Sequence, residues 1–222
     1  MHCLLIDGHP GADRLSAHLL DLYAAALPAG TECTRIALRD LRFAPHALHD
    51  YAALPAAEPD LERLWAAMLA CDHLVLAFPM WWGAEPALVS DVMTRVLLPG
   101  RAFAYHRDDP WWDRLLSGRS ADVLVTMDTP PAVLRWLWGF PIGRRLRRQV
   151  LGFVGFAPVR VLCFGPVRRG GAGRALPRWG ARIARAAARI PHPRGRRATT
   201  VPLADPVAGP IFPPKPHPAK ES

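Results

Sequence analysis

Lysine is almost missing from this chain. Only Lys215 and Lys220 occur, so the 28 basic residues that outnumber 19 acidic ones are nearly all arginine. A formal charge of +9 built that way could meet phosphates through Arg144, Arg145, Arg147 and Arg148, or through Arg194, Arg196 and Arg197. No nucleic-acid-binding motif accompanies these clusters, so a solvated basic helix face and a basic tail are the simpler reading, and no nucleic-acid partner is expected. Cysteine is scarce as well. Cys3, Cys33, Cys71 and Cys163 lie far apart with no C-x-x-C spacing, which argues against a zinc site or a compact disulfide framework and for reduced thiols. Uncharged apolar runs such as Val150 to Val159 reach only about ten residues, where a bilayer span needs roughly 18. The first apolar run stops at Asp7 with no basic leader before it, so a cytoplasmic protein is expected. Neither G-x-G-x-x-G nor G-x-x-x-x-G-K-[ST] occurs, which removes the Rossmann fingerprint and the P-loop.

What is present suffices for a core. Of 222 residues, 50% are hydrophobic, 9% aromatic and 21% charged, which favours one folded α/β-sized domain with an appendage. Short apolar runs alternate with helical periodicity. Strands are expected at His2 to Asp7, Glu32 to Leu38, His73 to Phe78, Ala121 to Thr126 and Val159 to Phe164. Helices are expected over Arg14 to Leu27, around Leu61 to Leu69 and Leu88 to Leu97, over Arg144 to Val154 and over Leu176 to Ile190. Continuous apolar strands separated by amphipathic helices predict a doubly wound α/β domain, a five-stranded parallel sheet with helices on both faces. The domain is expected over residues 1–190. From Pro191 onward nine of 32 residues are proline, which predicts an extended or disordered tail over 191–222.

In such sheets ligands bind beyond the carboxyl ends of the strands. The loop after the first strand, Gly8-His9-Pro10-Gly11-Ala12-Asp13-Arg14-Leu15-Ser16, runs into a helix start, where free N–H groups and the Ser16 hydroxyl could cradle a phosphate; an ordinary glycine turn and helix cap would look similar. The loop after the third strand carries Trp81-Trp82-Gly83, against which a flat aromatic ligand could lie, with one tryptophan expected to pack into the core. The loop after the fourth strand, Thr126-Met127-Asp128-Thr129-Pro130-Pro131, offers hydroxyl and backbone donors and then two prolines that fix its path.

Taken together, GHPGADRLSAHL, FPMWWGAEPALVSDVMTRVLLPGRAFAY, TMDTPP and LGFVGFAPVRVLCFGPV resemble the flavodoxin-like NAD(P)H:quinone oxidoreductases, including the bacterial drug-modulator and potassium-efflux ancillary reductases. The resemblance covers residues from about 1 to 190. It implies a flavodoxin-like fold, a bound flavin (FMN or FAD), NAD(P)H as co-substrate, a quinone-like acceptor served in ping-pong order, and a homodimer. Carried over position by position, it places His9, Leu15 and Ser16 at the flavin phosphate and Pro79, Met80, Trp81, Trp82 and Gly83 along the isoalloxazine ring. Thr126, Met127, Asp128 and Thr129 fall on the pyrimidine side, with the Asp128 carboxylate expected to turn away from the ring. Tyr105 matches an aromatic that closes the substrate pocket, often across a dimer interface, and Trp136 is a pocket candidate. Arg14 replaces a small hydroxyl residue, and no catalytic side chain is assigned. A flavoprotein subunit bound to a membrane transporter and a flavodoxin-type electron carrier are the alternatives; the basic surface argues against the carrier.

Overall fold

A computed structural model describes residues 1–45, 48, 56–106, 108–168 and 170–191. Its strands are β1 (His2–Asp7), β2 (Glu32–Ala37), β3 (His73–Pro79), β4 (Phe103–Tyr105), β5 (Trp112–Arg114), β6 (Ser120–Thr126) and β7 (Val159–Phe164). The helices are α1 (Leu15–Ala25), α2 (Pro59–Ala70), α3 (Ala87–Val96), α4 (Pro141–Arg144), α5 (Leu151–Val154) and α6 (Gly171–Ala187).

Five strands form one sheet in the order β2-β1-β3-β6-β7, every neighbouring pair parallel. This is the doubly wound flavodoxin-like order, whose switch point lies between β1 and β3. Every residue of β3 and of β6 is buried, which is why residues 74–78 and 123–125 read as unbroken apolar runs instead of alternating ones. The period of two still shows in where side chains go. Leu4, Ile6, Leu74, Leu76, Phe78, Val123, Val125 and Val161 pack in the layer under α2, α3 and α5. Their neighbours Cys3, Leu5, Val75, Ala77, Leu124, Leu162 and Phe164 pack in the opposite layer with Leu19 and Tyr23 of α1 and Trp179 and Ile183 of α6.

The amino-terminal edge of the sheet carries a buried polar network. Tyr23 donates its hydroxyl to Asp122 Oδ2 at 2.7 Å and sits 3.0 Å from His73 Nε2. Ser120 Oγ lies 2.7 Å from His73 Nδ1, and Arg160 grips the Asp122 carboxylate with Nε and Nη2, each at 2.6 Å. Burial raises the Asp122 pKa, but the His73 imidazole 3.7 Å away and the hydrogen bonds from Arg160 outweigh that and leave it below the ordinary carboxylate value.

Three expectations change. Helix α6 begins at Gly171 and carries Pro177 within it, so the breaker near which the sequence pattern placed the helix start lies inside the helix. The Arg144 to Val154 stretch is helical but not one α-helix: a wide π-type turn over Arg145–Val150 separates α4 from α5, and a second spans Val133–Leu137. An antiparallel hairpin, β4 with β5, was not foreseen; Trp112 stacks on Phe153 at 4.4 Å and donates its indole N–H to the Phe153 carbonyl at 2.9 Å. The proline-rich tail and Arg194, Arg196 and Arg197 lie outside the described residues.

Candidate functional site at the carboxyl edge

Strand β1 ends on Asp7, which is fully buried and gathers the following loop. One carboxylate oxygen accepts the His9 N–H at 3.1 Å, and the other meets Arg39 Nη1 at 2.5 Å. Gly8 crosses so closely over β3 that a Cβ there would lie 2.6 Å from Val89 Cγ2 and 3.2 Å from the Ala77 carbonyl oxygen; only glycine lets the loop pass. The Gly11 N–H donates to His9 Nδ1 at 2.8 Å, which places the ring proton on Nε2. Burial lowers the His9 pKa, Asp7 opposes this, and Arg14 and Arg39 add to the lowering, so the imidazole is neutral near pH 7.

Helix α1 then opens with Arg14 as its N-cap, no side-chain cap and no acidic residue in its first turn. The positive end of the helix is therefore left unneutralised. Ser16 sits in that first turn, fully buried, and its Oγ has no hydrogen-bond partner. A buried hydroxyl without a partner costs folding energy, so it marks a place where a ligand oxygen would be welcome. Leu15 is half-buried beside it, and Arg14 is exposed.

The tryptophan pair is arranged differently from the expectation. Trp81 and Ala84 exchange backbone hydrogen bonds at 2.9 and 3.0 Å around Trp82 (φ 51°) and Gly83 (φ 81°), a type I′ turn that needs positive φ at both central residues. This turn carries the pair out of the core: Trp82 is wholly exposed, and Trp81 is 48% exposed with the His9 ring against its face edge-on at 5.9 Å. The root of the turn is firm. Met80 N–H donates to the Thr126 carbonyl at 2.7 Å, tying the end of β3 to the end of β6, and buried Glu85 pairs with Arg145 at 2.6 Å.

Past β6, Met127 is buried and tied to the end of β7 through the Phe164 carbonyl at 2.9 Å. The Asp128 carboxylate is taken up by Arg168, through its backbone N–H at 3.0 Å and its Nε at 2.5 Å. Between the two loops lies a cleft of about 650 Å³ lined by Met80, Trp81, Trp82, Gly83, Asp128, Thr129, Trp138 and Arg168. Six of these were singled out from sequence. Trp138 and Arg168 were not, although Arg168 follows the end of β7 and the same strand-end rule would have found it. Pro79, Thr126 and Met127 form the buried strand ends beneath the cleft. Tyr105, 58% exposed on the hairpin, and Trp136, 83% exposed, are not among the residues that line it.

Comparison with known proteins gives four findings. The Flavodoxin_2 family, described as having a flavodoxin-like fold, matches residues 1–185. An NAD(P)H oxidoreductase of Escherichia coli K12, YcaK, is 28% identical over 130 residues, a match that spans 51% of this chain and 63% of that protein. The FMN-dependent NADH:quinone oxidoreductase of Nitratidesulfovibrio vulgaris DP4 is 27% identical over 154 residues, covering 69% of this chain and 71% of its own. Among solved structures, an NAD(P)H:quinone oxidoreductase from Methanothermobacter marburgensis superposes with a TM-score of 0.69 at 20% identity, over 88% of this chain and 99% of that one; that likeness shows the fold.

Proposed function

This chain belongs to the flavodoxin-like Flavodoxin_2 family, and from that premise we propose that it is a flavin-dependent oxidoreductase carrying reducing equivalents from NAD(P)H to a quinone-like acceptor. The observation that carries the reading is Ser16, whose buried, unpartnered hydroxyl stands in the uncapped first turn of α1 on the same sheet edge as an aromatic-walled cleft. A phosphate-bearing aromatic ligand suits both halves at once. FMN is the flavin assigned, since the Nitratidesulfovibrio relative is FMN-dependent. Bound there, the flavin supplies the hydride and electron chemistry, while the protein supplies position and electrostatics.

In this reading His9, Leu15 and Ser16 hold the phosphate, with the proton on His9 Nε2 available as a neutral donor. Pro79, Met80, Trp81, Trp82 and Gly83 flank the ring, and Thr126, Met127, Asp128 and Thr129 bound its polar side. Arg168 neutralises the Asp128 carboxylate, so the rim of the cleft carries donors and no free negative charge, an arrangement suited to an electron-rich ligand. Nicotinamide and acceptor take turns in the one cleft, which gives a ping-pong order. Tyr105, outside the cleft of its own chain, is assigned to the cleft of a second copy in a homodimer. Four free cysteines, three of them buried, fit a reducing cytoplasm.

The test is the visible absorption spectrum of the purified protein, followed through anaerobic addition of NADH or NADPH. A flavin spectrum that bleaches supports the reading. Failure to bind FMN or FAD on reconstitution would sink it.

A further inference from the structure

Glu85 is a costly residue for the place it occupies. It stands between the tryptophan turn and Pro86, the N-cap of α3, and its side chain is 2% exposed. Arg145 Nη1 lies 2.6 Å from its Oε1, while Oε2 is buried with no hydrogen-bond partner. A buried ion pair with an unmet oxygen is no more stabilising than well-packed apolar side chains of the same volume, and often less so. Arg145 is placed at a local cost as well. It opens the wide π-type turn over Arg145–Val150, in a stretch whose sequence reads as one α-helix, and such turns gather at functional sites. Just before it, two residues with positive φ, Gly139 (68°) and Phe140 (56°), lead the chain from Trp138 into α4. Backbone of that kind in a non-glycine residue persists where the surroundings over-determine it.

What the pair joins accounts for both costs. Glu85 directly follows the turn that brings Trp81, Trp82 and Gly83 to the cleft, and Arg145 belongs to the segment that brings Trp138 there. Among the described residues, no hydrogen bond and no other ion pair connects 80–86 with 133–150. Leu134, Ile142 and Leu146 root the second segment in the core, but apolar contacts are non-directional and leave its exact distance from the turn open. We propose that Glu85 is a positioning residue: through Arg145 it sets the spacing between the Trp81–Trp82 turn and Trp138, and with it the width of cleft that nicotinamide and acceptor share. The use of that width rests on the function proposed above, whereas the latch itself is a property of the fold.

The test separates placement from stability. In the double variant Glu85→Met, Arg145→Met, two apolar side chains replace the pair, and Tm is expected to equal or exceed that of the wild type. Amide hydrogen exchange, followed by NMR on the full chain with no flavin or substrate added, reads the latch directly. The amides of Trp81 and Ala84, bonded to each other's carbonyls, and those of Trp138 and Phe140, bonded to the carbonyls of Val133 and Leu134, should all exchange roughly tenfold faster, as a local opening requires. Glu85→Gln keeps the volume and leaves the half-exposed Arg145 free to turn to water, so it should show the same paired change in smaller measure. Arg145→Lys keeps a cation opposite Glu85 and should retain the protection. In turnover with NADH and menadione the double variant should raise KM roughly tenfold, with the change falling on KM and not on kcat, the mark of lost uniform binding. Exchange that stays unchanged at either pair of amides overturns the proposal. So does a lower Tm with faster exchange throughout the sheet, which would make the pair a stabilising contact only, and so does faster exchange with an unchanged KM. A chain that binds no flavin refutes the function proposed above and leaves the exchange measurement to decide the latch.

Discussion

Asp122→Asn should destabilise the domain in a manner that identifies the buried network at the start of β3 and β6. Asp122 is inaccessible and accepts from Tyr23 at 2.7 Å and from two nitrogens of Arg160 at 2.6 Å. The amide keeps the volume but removes the charge and turns one acceptor into a donor facing Arg160. Breaking a buried ion pair from one side costs about 3–5 kcal/mol. Arg160 is 30% exposed and keeps bonds to the carbonyls of Ala186 at 2.9 Å and Arg189 at 3.1 Å, so the lower end, about 3 kcal/mol, is expected. For a domain of this size that is roughly 6–12 °C in Tm. The pH dependence follows from the lowered carboxyl pKa. Stability from the charged form is fully present above the unfolded value of about 3.9 and is lost as pH falls through the folded value below it. Urea titrations should therefore show the gap between wild type and variant widest near neutral pH and closing below about pH 4. A gap under about 1 kcal/mol near neutrality, or one that stays constant into acid, would refute the reasoning, because it would mean that the carboxylate's charge contributes nothing.

Ser16→Ala removes a hydroxyl that has no partner in the protein, so the apo domain should be as stable as wild type or slightly more so. If Ser16 holds the phosphate as proposed, FMN affinity by fluorescence titration should fall by about 1.5–3 kcal/mol, the usual worth of a hydrogen bond to a charged group. Gly8→Ala drives a methyl toward Val89 Cγ2 at 2.6 Å and should cost about 1–3 kcal/mol in thermal or urea unfolding. Adding Val89→Ala should return part of that loss, since it removes the colliding atom. His9, with its pKa lowered chiefly by burial, is neutral in the fold. The stability it contributes is present above the unfolded value of about 6.5 and falls as pH drops below it, so His9→Gln should flatten the stability profile on the acid side of neutrality, with the imidazole midpoint readable by NMR.

The sheet is legible because its strands are apolar on both faces. Residues 74–78 and 123–125 are unbroken apolar runs that fit only an interior position. Helix α6 was legible only from its second third. Pro177 signals a stop, but it sits inside α6, where it removes one intrahelical hydrogen bond without ending the helix. Strands β4 and β5 have three residues each, too short for a period of two to appear, and are held by Trp112 against Phe153, a contact between residues 41 apart in sequence. The position of the cleft followed from strand-end logic. The outward turn of both paired tryptophans did not, because it depends on a positive φ at Trp82, a conformation that a bulky residue rarely adopts and no local pattern announces. Trp138 stood in a segment without regular period and could be placed only by the fold.

The polar clasp formed by Tyr23, His73, Ser120, Asp122 and Arg160 sits where β3 and β6 begin, and the cleft loops sit where those strands end. Anchorage and chemistry are therefore seven residues of strand apart on the same two strands. Such a division makes the loops at 80–86 and 127–131 exchangeable parts. Swapping them for segments of equal span alters what the cleft accepts while the anchoring end stays untouched, so this chain is a natural chassis for retargeting a cleft by loop grafting.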